Sequence, residues 1–179
     1  MPKTVSAPAT QSIVIRIKKG ADGRTSLSCT RADGTTTWQR QEGQQAAFFP
    51  RHDLTHYAVE TALAQRQGFY GLVAIGWDFS DFGSPWPRGK LPAEANISEI
   101  IVGLFDLERT TGERITAEEV NTRVAEYCVE AGLPKQREFT EEDLNCVRQK
   151  RAELFAKWEA VLPGEALEIL FTPFGRPTC

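Results

Sequence analysis

The sequence predicts an α+β fold, an antiparallel sheet of about four strands packed against about four helices. Three observations carry that expectation. Ile13, Ile15 and Ile17 alternate with polar residues near the N-terminus. Three Ser/Thr/Asn-x-x-acid motifs mark helix starts in the middle of the chain, and Leu167, Ile169 and Phe171 alternate near the C-terminus. A three-stranded N-terminal meander joined by a C-terminal strand accounts for the strand signals.

In chain order, residues 1–11 mix Pro, Ser, Thr and Ala without periodicity, the composition of a disordered lead-in. A single domain over 12–179 is expected to follow. Its first three strands are read over Ser12–Lys19, Thr25–Arg31 and Thr35–Glu42, with Gly20-Ala21-Asp22-Gly23 and the hairpin dipeptide Asp33-Gly34 between them. Pro50 then sits at the first turn of a helix over Arg51–Gln67, with Gly68 just past its end. The segment Gly68–Gly76 has the composition of either a buried strand or a short apolar helix. Trp77–Ala95, punctuated by Pro85, Pro87, Pro92, Gly83 and Gly89, reads as a long loop.

Three further helices are expected to start at Asn96-Ile-Ser-Glu99, Thr116-Ala-Glu-Glu119 and Thr140-Glu-Glu-Asp143. Their stops are Gly112, Gly132 with Pro134 beyond, and Pro163. In the last helix Leu144, Val147, Leu154, Phe155, Trp158 and Val161 form the inward stripe, and Arg148, Lys150, Glu153, Lys157 and Glu159 the solvated side. The final strand, Ala166–Phe171, follows the breaker Pro163-Gly164.

Twenty-one Lys and Arg against twenty-four Asp and Glu give a net charge of -3. With no block of like charge, an electrostatic grip on nucleic acid is not expected. The longest apolar runs, Gly68–Gly76 and Ile100–Phe105, fall far short of the roughly 20 residues that cross a bilayer, so no membrane span is expected. Cys29, Cys128, Cys146 and Cys179 form no CxxC pair, and Met1–Ser12 contains no apolar signal core. These features read as a reduced, cytoplasmic protein with Cys179 as a mobile terminal thiol. The sequence does not fix an oligomeric state.

The chain has two histidines, four residues apart in His52-Asp53-Leu54-Thr55-His56. On a helix, at about 100° per residue, their side chains lie about 40° apart, close enough to reach one metal ion. Glu60 continues the row at i+8 and is the first candidate for a third ligand. Asp78, Asp81, Asp106 and Cys128 are more distant ones. Zinc or another divalent metal at His52, His56 and Glu60, with Asp53 as proton acceptor, would support metal-assisted hydrolysis.

This run resembles the HExxH helix of zinc metalloproteases, with Asp53 where that pattern has glutamate. The resemblance implies a zinc-held water and a carboxylate base. Aspartate is one methylene shorter, which would hold the base further from the metal. The competing reading is structural, with both histidines hydrogen-bonded at the margin of an apolar arc formed by Leu54, Ala58, Val59, Ala62 and Leu63.

A second feature is the aromatic and acidic loop Trp77–Pro87, in which Trp77, Asp78, Asp81 and Trp86 are candidate ligand-binding residues. No GxxxxGK[ST], GxGxxG or GxSxG motif is present. The expectation is a small metal-dependent hydrolase acting on a small molecule or a peptide. The alternative is a non-catalytic ligand- or protein-binding module using the same helix and the Trp77–Pro87 loop.

Overall fold

The structure, a computed structural model, describes residues 11–173 and has the predicted α+β architecture. Strands β1 (Ile13–Lys19), β2 (Thr25–Arg31), β3 (Thr36–Gln41) and β4 (Ala166–Phe171) form one antiparallel sheet in the order β3-β2-β1-β4. Period-two alternation sends Ile13, Ile15, Ile17, Leu27 and Cys29 to the inner face, where none is more than 2% exposed. Ile15 lies between Cys29 on β2 and Ile169 on β4, which fixes the register of the central pairs. Gly34 has the positive φ of 83° that the β2–β3 turn requires, and Arg31 N–H donates to the Thr35 carbonyl to close it.

Helix α1 (Gly43–Ala62) differs from the sequence expectation at both ends. It begins well before Pro50, which is an interior residue. Proline cannot donate to the carbonyl four residues back. That carbonyl, on Ala46, accepts from Thr25 Oγ1 at 3.4 Å instead. The helix ends before Gln67 because Ala64 takes a left-handed φ of 54° and Gln65 N–H closes back onto the Glu60 carbonyl.

The ambiguous apolar segment is helix α2 (Phe69–Ala74). The expected loop beyond it contains a short 3-10 turn, Phe79–Phe82, and its last residues open helix α3 (Ala93–Thr111). The Asn96/Glu99 capping box does not form. Pro92 caps α3, and the Asn96 side chain donates to Tyr127 Oη at 3.0 Å. Helices α4 (Ala117–Glu130) and α5 (Glu141–Ala160) use the other two motifs as read, with reciprocal Thr116/Glu119 and Thr140/Asp143 caps.

The helices cover one face of the sheet. α1 runs between the sheet and the outer helices, packing on α3, α5 and strands β2 and β3. Leu54, Ala58 and Val59 of α1, Ile101 and Phe105 of α3, and Leu144 and Val147 of α5 are all fully buried. Each large apolar side chain placed there contributes about 1.5–3 kcal/mol through burial.

Arg148 is not on the solvated side assigned to it. Its side chain is 16% exposed and donates to Glu108 at 2.7 Å and to the Ile115 carbonyl at 2.6 Å. Arg151, 6% exposed, donates to Thr55 Oγ1 and to the Phe105 carbonyl. Cys29 and Cys128 are buried free thiols. The expectations for residues 1–10 and for Cys179 lie outside the described residues. No described helix is long and apolar enough to cross a membrane.

Candidate metal centre

Helices α1 and α3 meet so that two histidines on one face two acids on the other. His52 Nδ1 is 2.7 Å from Asp106 Oδ2. One turn along α1, His56 Nε2 is 3.4 Å from Glu99 Oε1. The later histidine therefore pairs with the earlier acid, as antiparallel helices require. Glu99 and Asp106 are seven residues apart, two turns of one helix face. The imidazole rings meet edge to face with centroids 4.8 Å apart.

His52, His56 and Glu99 each present a ligand atom, and these atoms all lie within 4.8 Å of one another. Asp106 holds Nδ1 of His52, which leaves Nε2 as the nitrogen available to an ion. A carboxylate behind a ligating imidazole fixes its orientation and raises its basicity. Asp106 is held in turn by Arg109, whose Nη2 lies 3.2 Å from Oδ1. The cluster grades from interior to surface, since the His56 side chain is 3% exposed, His52 20% and Glu99 47%. Phe48 stacks on His52 at the outer edge, 5.4 Å between centroids.

Glu60, the sequence candidate for third ligand, lies deeper. Its carboxylate accepts from Tyr70 N–H at 3.1 Å and Gly71 N–H at 3.0 Å, serving the first turn of α2 where Gly68 offers no capping side chain. It lies 3.6 Å from His56 Nδ1, a buried nitrogen with no hydrogen bond among the described residues. Gly68 is needed here because a Cβ at that position would come within 2.4 Å of Glu60 Cδ. Burial opposes charge on His56, but Glu60 and Glu99 on its two sides outweigh it and raise its pKa to about 10.

Asp53 points to the interior side of the same helix and is 5% exposed. Burial raises its pKa to about 7, with the His56 charge pulling it down and Asp106 and Glu99 pushing it up. Such a carboxyl can both accept and release a proton near neutrality.

The Trp77–Pro87 loop reaches the centre only through aromatic contacts. Phe79 and Phe82 pack on Phe69, at 5.4 and 4.7 Å, and Phe69 packs on His56 at 5.3 Å. Asp78 and Asp81 form the reciprocal cap of the 3-10 turn and pair with Arg31 and Arg88. Trp77 packs on Phe82, 5.4 Å between centroids, and Trp86 is 46% exposed. None of these four residues belongs to the histidine cluster.

Glu99 is the residue that sequence reasoning missed, because its spacing from Asn96 assigned it to a helix cap. One signal was available. With Pro92 just upstream able to start the helix, Glu99 falls beyond its first turn and is released from capping. No known protein family matches the chain, and neither a curated protein nor a solved structure is significantly similar to it.

Proposed function

We propose that this protein is a divalent-metal-dependent hydrolase whose centre is formed by His52, His56 and Glu99, with zinc the ion its donor set suits best. The observation that carries the reading is the convergence of these three side chains from two helices, with carboxylates behind both imidazoles. Two imidazoles and one carboxylate form the donor set of catalytic zinc sites, which keep a fourth position open. When bound there, zinc lowers the pKa of a water and polarises a carbonyl oxygen.

The chain's own residues do the rest. Asp106 orients the His52 imidazole, and Glu60 stands 3.6 Å behind that of His56. Asp53, buried beside His52 on α1, would serve as the proton acceptor of a metal-held water. Phe48 and Phe69 screen the two sides of the imidazole pair from water.

The test compares chelator-stripped protein with protein reloaded with Zn, Mn or Co, against a panel of nitrophenyl esters and anilides. Turnover is expected only in loaded protein. Asp53→Asn is expected to keep the metal and lose about 10²–10⁴-fold in rate. Loaded protein no faster than free metal would contradict the reading.

A further inference from the structure

The helices cover the inner face of the sheet and leave the outer face open. Strand register places Lys18, Ser26 and Arg40 side by side across β1, β2 and β3, with Arg16, Ser28 and Trp38 in the next row. Two residues of strand separate the rows by about 7 Å. On this face β2 carries only Ser26, Ser28 and Thr30. These short hydroxyl side chains floor a trough about 10 Å wide between the long ones of β1 and β3.

Trp38 stands in one wall, 63% exposed in mid-strand. The charged residues on outward strand positions are Arg16, Lys18, Arg40 and Glu168, three cations against one acid. Glu168 is taken by Arg16 at 3.0 Å. The side chains of Lys18 and Arg40 have no ion-pair or hydrogen-bond partner among the described residues. They flank an open hollow of about 430 Å³ over Ser26. Asp22 also borders the hollow, but its carboxylate is bound by Arg24 at 3.0 Å. A chain of net charge -3 thus turns two unpaired cations and an exposed indole to one side of its sheet. Neither net charge nor any basic run in the sequence announces this grouping, because only strand pairing brings Lys18 and Arg40 together.

We propose that this face binds single-stranded nucleic acid, with a base stacked on Trp38 and the neighbouring phosphate held between Lys18 and Arg40. An indole face accepts any unstacked base, and cations along a groove track the backbone. A duplex keeps its base faces stacked inside and would leave Trp38 unused. The hydroxyl floor offers hydrogen bonds to sugar and phosphate oxygens and nothing to lipid tails. A second copy of the chain would bring Lys18 and Arg40 against like charges. Lys18, Trp38 and Arg40 are all exposed, so nothing encloses a free mononucleotide, whereas a strand gains by continuing along the trough. Binding there is independent of the metal centre, which lies on the helical side of the sheet.

The test is fluorescence anisotropy of labelled ten-nucleotide oligo-dT and oligo-U titrated with the full chain at several salt concentrations. Binding is expected at about 10⁻⁴–10⁻⁶ M, with log affinity falling against log salt at a slope of about −0.7 for each phosphate held. Trp38→Ala is expected to weaken binding at least about fivefold at unchanged slope, and Trp38→Phe to keep most of the affinity. Lys18→Ala/Arg40→Ala is expected to flatten the slope by about 0.7. All three positions are exposed, and circular dichroism checks that the variants fold. No binding at the lowest salt, equal binding of a duplex of the same length, or affinity unchanged in Trp38→Ala would overturn the proposal. So would UMP competing as well as oligo-U, which would mark a mononucleotide site, or capture by phosphatidylserine vesicles without oligonucleotide binding, which would mark a membrane surface.

Discussion

His52 and Asp106 are joined by a 2.7 Å contact between Nδ1 and Oδ2, and the other oxygen of Asp106 is taken by Arg109 at 3.2 Å. One carboxylate thus fixes a ring on α1 from a neighbouring helix and is itself fixed. An arrangement that only filled space would not need this chain of three.

Asp106→Asn should therefore weaken metal binding without unfolding the protein. The amide keeps the shape but loses the charge that makes the imidazole a better donor, and replacing a carboxylate that holds a ligating imidazole typically lowers metal affinity about 10–100-fold. Competition with a chromophoric chelator measures this, with circular dichroism as the check on fold. Unchanged affinity would show that Asp106 does not act on a ligating ring.

Glu60→Ala is expected to act first on stability. The Glu60 carboxylate is buried and serves two backbone N–H groups of α2, Tyr70 and Gly71. Removing it strands both donors, an effect of about 2–4 kcal/mol. Urea denaturation of the metal-free protein reads the loss. Gly68→Ala should be destabilising as well, since the new Cβ would collide with the same carboxylate.

Acid should loosen the packing of α5 on α3. Burial pushes the Glu108 carboxyl up, but Arg148, the Ile115 N–H and Arg151 outweigh it and hold its pKa below the ordinary glutamate value. A group with a depressed folded pKa stabilises above its unfolded pKa and loses that contribution as pH falls through the folded one. Stability should therefore decline below about pH 4.5, near the unfolded glutamate pKa. In Arg148→Met that slope should be shallower. Thermal melts of both proteins between pH 3 and 7 test it, and identical slopes would contradict the assignment.

The sheet was legible in the sequence because its signals are local. Alternation of Ile13, Ile15 and Ile17 and the Asp33-Gly34 dipeptide report strand and turn without reference to the rest of the chain. Helix α1 was half legible. Pro50 reads as a helix start, whereas the helix runs through it and the Ala46 carbonyl that Pro50 leaves without its helical partner accepts from Thr25. The same limit governs the site. His52 and His56 announce themselves by spacing on one helix, whereas Glu99 reaches them from another across 43 residues of chain. Glu60 sits at a ligand's spacing, but its carboxylate is directed to two backbone groups of α2, which the sequence does not place.

The most direct test is the metal content of tag-free protein prepared without chelator, wild type beside His52→Ala/His56→Ala and Glu99→Gln, each shown to be folded by circular dichroism. The account predicts about one Zn, Mn or Fe per wild-type chain, none in the double variant and a sharply reduced amount in Glu99→Gln. A wild type that holds no ion even after incubation with excess Zn would contradict it and leave the histidines as a structural pair between α1 and α3.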